Sequence, residues 1–184
     1  MTQVYKLESF MVDLNNETIK DIKINEYFGF SDKDLRWHNT FLKIAEIMGA
    51  NSHCVSHKVG AVLVKNKRII STGINGTPVG YINCDEVFNP ESFGRATHHE
   101  WSGLNELHAE VNAIAIAAKE GIPTKDGILY TTISPCVHCS KIIIASGIKQ
   151  VVFSELYDLD KYGLILMLQN NIDLYLIKKG DVDA

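Results

Sequence analysis

Apolar and polar positions fall into regular order only after about residue 30. Over residues 1–30, short apolar runs are interrupted by Asn15, Asn16, Glu17 and Asp21, with neither a sustained helical period nor a strong alternation, so this stretch reads as an N-terminal extension of unknown role. A helix is expected from Ser31, whose hydroxyl can cap the first turn with Asp34 three residues on. Phe41, Ile44, Ala45 and Met48 then give it one apolar stripe before Gly49, the face that should pack on a sheet. Residues 59–64 and 68–73, rich in β-branched side chains and matched in length around Lys65, Asn66 and Lys67, predict an antiparallel hairpin.

Ile74 to Glu106 holds Gly76, Pro78, Gly80, Pro90, Gly94 and Gly103, longer than an ordinary connection and so more consistent with a functional loop than with filler. Cys84, His98 and His99 within it strengthen that reading. Beyond it strands and helices alternate. The pattern predicts a helix over 108–119, a strand over 128–133, a helix opening at Pro135 and closing at Gly147, a strand over 150–154, a helix over 161–169 and a strand over 174–177. The expected fold class is therefore α/β, with one domain over 31–184 built on a mixed five-stranded sheet whose later strands are parallel, because helical crossovers join them.

Composition narrows the function classes. At 46% hydrophobic and 22% charged residues, 184 residues suit one domain with a sizeable core. No apolar run approaches the roughly 20 residues of a membrane helix, and the first ten residues lack the pattern of a signal peptide. The expectation is a cytoplasmic protein without a membrane partner. Eighteen Lys and Arg against 22 Asp and Glu leave a formal charge of -4, the wrong sign for gripping a polyanion along a broad surface, so no nucleic-acid partner is expected.

In a reducing compartment the four cysteines, Cys54, Cys84, Cys136 and Cys139, are better suited to metal or redox chemistry than to disulfides. Pro135-Cys136-Val137-His138-Cys139 starts a helix, placing the two thiols one turn apart at the positive end of the dipole, where the metal-binding thiolate is favoured. Two thiolates and one imidazole suit a zinc ion with one position left open. His108-Ala109-Glu110 can supply the imidazole, and beside it a carboxylate able to act on a water at the open position. Side chains at i and i+2 share no helix face, so this works only at a helix start. Other readings stay open for each part alone. A Cys-x-x-Cys at a helix start also suits a thioredoxin-like redox pair, a lone histidine on an Ala-rich helix is commonly a packed core residue, and Glu110 could be a solvated helix-start charge. Ser140 after Cys139 removes the haem-attachment pattern.

Histidine-x-glutamate followed by proline-cysteine-x-x-cysteine is the zinc deaminase signature. With Val59-Gly-Ala-Val62, Thr72-Gly-Ile-Asn-Gly-Thr-Pro78 and His108-Ala-Glu-Val-Asn-Ala-Ile114, the chain from about Trp37 to Ile177 resembles the deoxycytidylate (dCMP) deaminases, especially their phage form, of the zinc-dependent cytidine and deoxycytidylate deaminase family. The resemblance implies a three-layer α/β/α cytidine-deaminase-like sandwich and hydrolytic deamination of dCMP to dUMP, which feeds dTMP synthesis, in the host cytoplasm if the chain is viral. It implies His108, Cys136 and Cys139 as ligands of a catalytic zinc and Glu110 as the proton shuttle. Asn75, Ala109, Ser134 and Tyr157 are implied as the substrate site, and Asn112 also fits the dCMP branch. Cys54, Cys84 and His98 match the ligands of a second, structural zinc in phage relatives. Two buried thiols and a loop histidine would be the alternative for that trio. A homo-oligomer, commonly a hexamer, with dCTP and dTTP-Mg2+ as allosteric effectors, is implied as well. One departure bears on the substrate: Ser56 stands where many bacterial relatives place an arginine against the phosphate. Lys58 and Arg95 are candidates to compensate, and a remodelled phosphate pocket would admit dCTP.

Overall fold

The computed structural model describes residues 2–14, 17–92, 94–157 and 161–178. Its elements run in the order β1 (Gln3–Leu14), β2 (Glu17–Glu26), α1 (Asp32–Gly49), β3 (Gly60–Lys65), β4 (Arg68–Ile74), α2 (Cys84–Val87), α3 (Arg95–Asn105), α4 (Ala109–Lys119), β5 (Ile128–Ile133), α5 (Val137–Ala145), β6 (Gln150–Glu155), α6 (Lys161–Gln169) and β7 (Asp173–Lys178). The strands form one sheet in the order β2-β1-β7-β6-β5-β3-β4. β5, β6 and β7 are mutually parallel, as helical crossovers require, and the other pairings are antiparallel.

Alternate strand residues feed two cores, one on each face of the sheet. Val62, Val64, Tyr130, Val152, Tyr175 and Ile177 pack under Phe41, Leu42 and Ala45 of α1. Leu63, Leu129, Val151, Phe153 and Leu174 pack under α4, α5 and α6 through Ala113, Ala117, Ile143, Leu164 and Met167. The architecture is thus the three-layer α/β/α sandwich, with a mixed sheet and helices on both faces. Helix α1 starts where expected, its cap Ser31 accepting a bond from Asp34 N at 3.2 Å. A buried bond between Tyr130 Oη and His38 Nδ1, 3.0 Å, ties α1 to the middle of the sheet. Between β3 and β4, Asn66 and Lys67 both have positive φ (52° and 60°), the twist that a two-residue hairpin turn needs.

Three expectations are corrected. The sheet has seven strands rather than five, because the N-terminal residues form the β1–β2 hairpin, and Gln3–Lys6 pair with Lys178–Tyr175 at the β7 edge. A strand held by a remote partner has little local signal. Val4 and Leu7 even join the cores on opposite faces. The stretch 74–106, read as a loop, contains the helices α2 and α3. The predicted helix from Pro135 begins later, with Cys136 as N-cap of α5. Among the described residues, no helix is long and apolar enough to cross a membrane.

Candidate active site and metal centres

Two of the helices that open toward the C-terminal ends of the parallel strands begin on a residue with chemistry. His108 is the N-cap of α4 and Cys136 the N-cap of α5, each in extended backbone conformation and each without a side-chain capping bond. Their side chains are instead turned to one another. Cys136 Sγ lies 3.4 Å and Cys139 Sγ 3.2 Å from His108 Nδ1, and the two sulfurs are 3.7 Å apart. A tetrahedral zinc with bonds of about 2.3 Å to sulfur and about 2.0 Å to nitrogen requires donor separations of roughly 3.8 Å and 3.5 Å. The three donors match that triangle to within a few tenths of an ångström. His108 is exposed and Cys136 half-buried, whereas Cys139 is buried, so the triangle has one face toward solvent.

The charge states fit a metal ligand set. The hydrogen bond with Cys139 pulls the Cys136 thiol down to about 3, the strongest influence on it. Cys139, on the other side of that bond and buried, is pushed up. The bond to Cys136 raises His108. Two thiols, one imidazole and a single proton deficit form a cluster that a divalent cation would complete, displacing the shared protons. Glu110, in the first turn of α4, is 4% exposed, and burial raises its carboxyl above the ordinary 4.5, the direction that makes a carboxylate a better base.

Around this triangle the other predicted residues are arranged unequally. Ala109 is fully buried with its main chain pressed on β4. Ser134 ends β5: its main-chain N–H donates to Glu155 O at 2.8 Å, and its hydroxyl accepts from Tyr157 N at 2.8 Å, so Ser134 and Tyr157 are held together beside Pro135 and Cys136. Asn75 is differently engaged. Its Oδ1 accepts from Val59 N and its Nδ2 donates to His57 O, both at 2.8 Å, fastening the strand entrance rather than presenting a free amide. Asn112 Nδ2 donates to Ile74 O at 3.0 Å.

The long stretch before α4 brings Cys54, Cys84 and His98 together. Cys54 Sγ is 3.6 Å and Cys84 Sγ 3.3 Å from His98 Nε2, and all three residues are buried. Burial, with smaller contributions from the charges of Cys54 and Glu106, pushes the Cys84 thiol up to about 12, so without a cation it stays neutral. Sequence reasoning missed Glu106. This residue, the C-cap of α3, has a buried Oε1 with no hydrogen-bond partner among the described residues, and its charge reaches both Cys84 and His108. A buried orphan acceptor is visible only in three dimensions.

Residues 35–155 match the family model of the cytidine and deoxycytidylate deaminase zinc-binding region. The chain belongs to this family. The deaminase domain is also similar to the deoxycytidylate deaminases of Enterobacteria phage T2, 40% identical over 77% of this chain and 92% of that one, and of phage T4, 39% identical over 79% and 92%. Among solved structures, it is similar to the dCMP deaminase of cyanophage S-TIM5 in complex with dCMP and dUMP, with TM-score 0.64 and 32% identity over 79% of this chain and 98% of that one. The match makes the chain a deaminase of a zinc-binding family, and His108, Cys136 and Cys139 form a group that could hold a metal ion.

Proposed function

We propose that this deaminase converts dCMP and water to dUMP and ammonia, using the site between the starts of α4 and α5. One observation carries the assignment of the site: three donors at zinc spacing, open on one side, adjoin a buried carboxylate of raised pKa. His108, Cys136 and Cys139 would hold the ion, whose contribution when bound is to polarise a water toward deprotonation near neutral pH. Glu110 takes a proton from the attacking water and delivers it to N3 of the cytosine. The water oxygen adds at C4, its remaining proton passes by way of Glu110 to the exocyclic amino group, and the C4–N bond breaks to release ammonia as the C4 carbonyl forms. Burial of Glu110 favours this double role, because it raises the carboxyl and makes the carboxylate a readier proton acceptor.

Ser134, Tyr157, Ala109 and the Asn75 segment are assigned to the nucleotide, Ala109 and Ser134 through their main chain. Asn75 contributes by holding residues 57–59 in place. Lys58 and Arg95, both exposed, are assigned to the phosphate that Ser56 cannot neutralise. The names of the phage relatives favour dCMP over dCTP as substrate. Cys54, Cys84 and His98 are assigned to a second, structural zinc. Their full burial suits a closed site. We assign the catalytic unit to residues 31–184 in a cytoplasmic homo-oligomer, a hexamer responsive to dCTP and dTTP-Mg2+, which the family motifs support. Incubating the zinc-loaded protein with dCMP and following ammonia together with dUMP by chromatography tests the central reaction; intact dCMP after prolonged incubation would overturn it.

A further inference from the structure

The depth at which α4 lies on the sheet is fixed by three short contacts from β4. Ser71 Oγ donates to Ala113 O at 2.8 Å, and Asn112 Nδ2 of the helix donates to Ile74 O at 3.0 Å. Between these two bonds lies Gly73. A Cβ at this position would stand 2.2 Å from Ala109 O, 2.5 Å from Ala113 N and 3.1 Å from Ala113 Cα. Every one of those neighbours is backbone, so no side-chain rotation can make room. Gly73 is not among the glycines with positive φ, so the strand conformation itself would accept another residue. What excludes a side chain is the helix. Ala109, Ala113 and Ala117 on the facing side of α4 are fully buried, which leaves the helix no slack against the sheet.

The helix seated in this way carries His108 at its cap and Glu110 in its first turn, opposite Cys136 and Cys139 on α5. We infer that Gly73 is a positioning residue for the deamination site: its missing side chain sets the depth of α4, and with it the height of His108 and Glu110 against the cysteine pair. Ordinary carbon contacts begin near 3.4 Å, so a Cβ held 2.2 Å from a carbonyl oxygen would lift the start of α4 by about 1 Å. Metal donors tolerate deviations of only about 0.2 Å, and a misplacement of about 1 Å can cost roughly a hundredfold in rate. The inference rests on the zinc and dCMP readings above, but its metal arm is measured without substrate.

The test is Gly73→Ala beside Gly127→Ala. Gly127 is a milder steric control, since a Cβ there would meet Thr124 O at 2.8 Å, and it precedes β5 at the end of the sheet away from the cluster. Zinc affinity is measured on metal-stripped protein by competition with a chromophoric chelator, reading the binding step that Cys136→Ala abolishes. Melting temperature, kcat and KM for dCMP are recorded alongside. Gly73→Ala should weaken that binding step about ten- to hundredfold and lower kcat about a hundredfold, with KM changed less than about threefold. Gly127→Ala should lower the melting temperature and leave affinity and kcat within about threefold. A folded Gly73→Ala with parental affinity and kcat, or equal losses in both variants, would overturn the inference. Should Gly73→Ala not fold, Ser71→Ala removes one of the seating bonds without adding an atom. A severalfold loss of affinity and kcat is expected there, and parental values would overturn the inference equally. A parent protein that binds zinc but leaves dCMP untouched would count against the substrate reading, while the affinity comparison would still decide the role of Gly73.

Discussion

The two Cys-Cys-His clusters have the same donor types and similar spacings, yet their surroundings differ. In one, His108 and Cys136 cap two helices, His108 is exposed, and a buried carboxylate lies in the adjacent turn. In the other, Cys54, Cys84 and His98 come from a loop and two short helices and are all buried, with Phe88 packed edge-on against the His98 ring at 5.3 Å. A metal in the first retains a side on which a small molecule can be held and a base to act on it. A metal in the second would have no such open side and would serve as a staple. Ligand identity therefore does not separate chemistry from structure in this fold. Access and the neighbouring carboxylate do.

The difference is broken most severely by removing a donor from the open cluster. Cys136→Ala and Cys139→Ala should each abolish dCMP deamination and lose one zinc per chain by elemental analysis, because two protein donors hold zinc far more weakly than three. Either variant retaining parental turnover would remove the cluster from the mechanism. Glu110→Gln should lower kcat at least a hundredfold while keeping that zinc, since the amide keeps the shape but cannot take the proton. Its stability should move the other way. Burial raises the Glu110 carboxyl, so below about 4.5 it is neutral in both folded and unfolded chains and imposes no penalty. As pH rises beyond that, the unfolded chain gives up the proton first, and the fold is progressively disfavoured. Metal-free Glu110→Gln should therefore melt higher than the metal-free parent at pH 7, and the gap should close toward pH 4. A lower melting temperature at pH 7 would contradict the assigned environment of this carboxyl.

The closed cluster sharpens the contrast through stability. Cys84→Ala should lose a different zinc and lower the melting temperature by on the order of 10 °C, with kcat of the folded fraction within a few fold of the parent. A parental zinc content of one per chain, unchanged in Cys84→Ala, would leave the second cluster as two buried thiols and a histidine.

What was legible in the sequence follows from how local each signal is. Ser31 with Asp34, the run Ile128–Ile133 and the helix Lys161–Gln169 are set by neighbouring residues and were found at or near their bounds. The motif residues His108, Cys136 and Cys139 could be named because their types and helix-start placement are local, although the 3.2–3.7 Å triangle they form is not. β1 was illegible because its inner half is defined by β7, more than 160 residues away. α3 was missed because its few apolar residues, Ala96, Trp101 and Leu104, lie among Gly94, Gly103 and polar side chains, and Leu104 stays exposed. Its one buried residue is His98, and Trp101 reaches Phe88 at 5.4 Å, so the helix is organised around the second cluster rather than around the main cores. Glu106 has no pattern at all in sequence, only a buried oxygen without a hydrogen-bond partner among the described residues.

The smallest effect concerns the phosphate. Lys58→Ala or Arg95→Ala should raise KM for dCMP about tenfold with kcat changed less, since each would remove one of the charge-assisted contacts proposed for the phosphate, before and during reaction alike. Unchanged KM in both would place the phosphate elsewhere.

The most direct test of the account compares kcat/KM for deoxycytidine, dCMP and dCTP on the zinc-loaded protein under identical conditions. If deamination takes place at the open cluster and phosphate-derived binding energy holds C4 in place, dCMP should exceed deoxycytidine by at least a hundredfold and dCTP by a clear margin. Deoxycytidine turning over as efficiently as dCMP would contradict the account and move the protein to the nucleoside branch of its family.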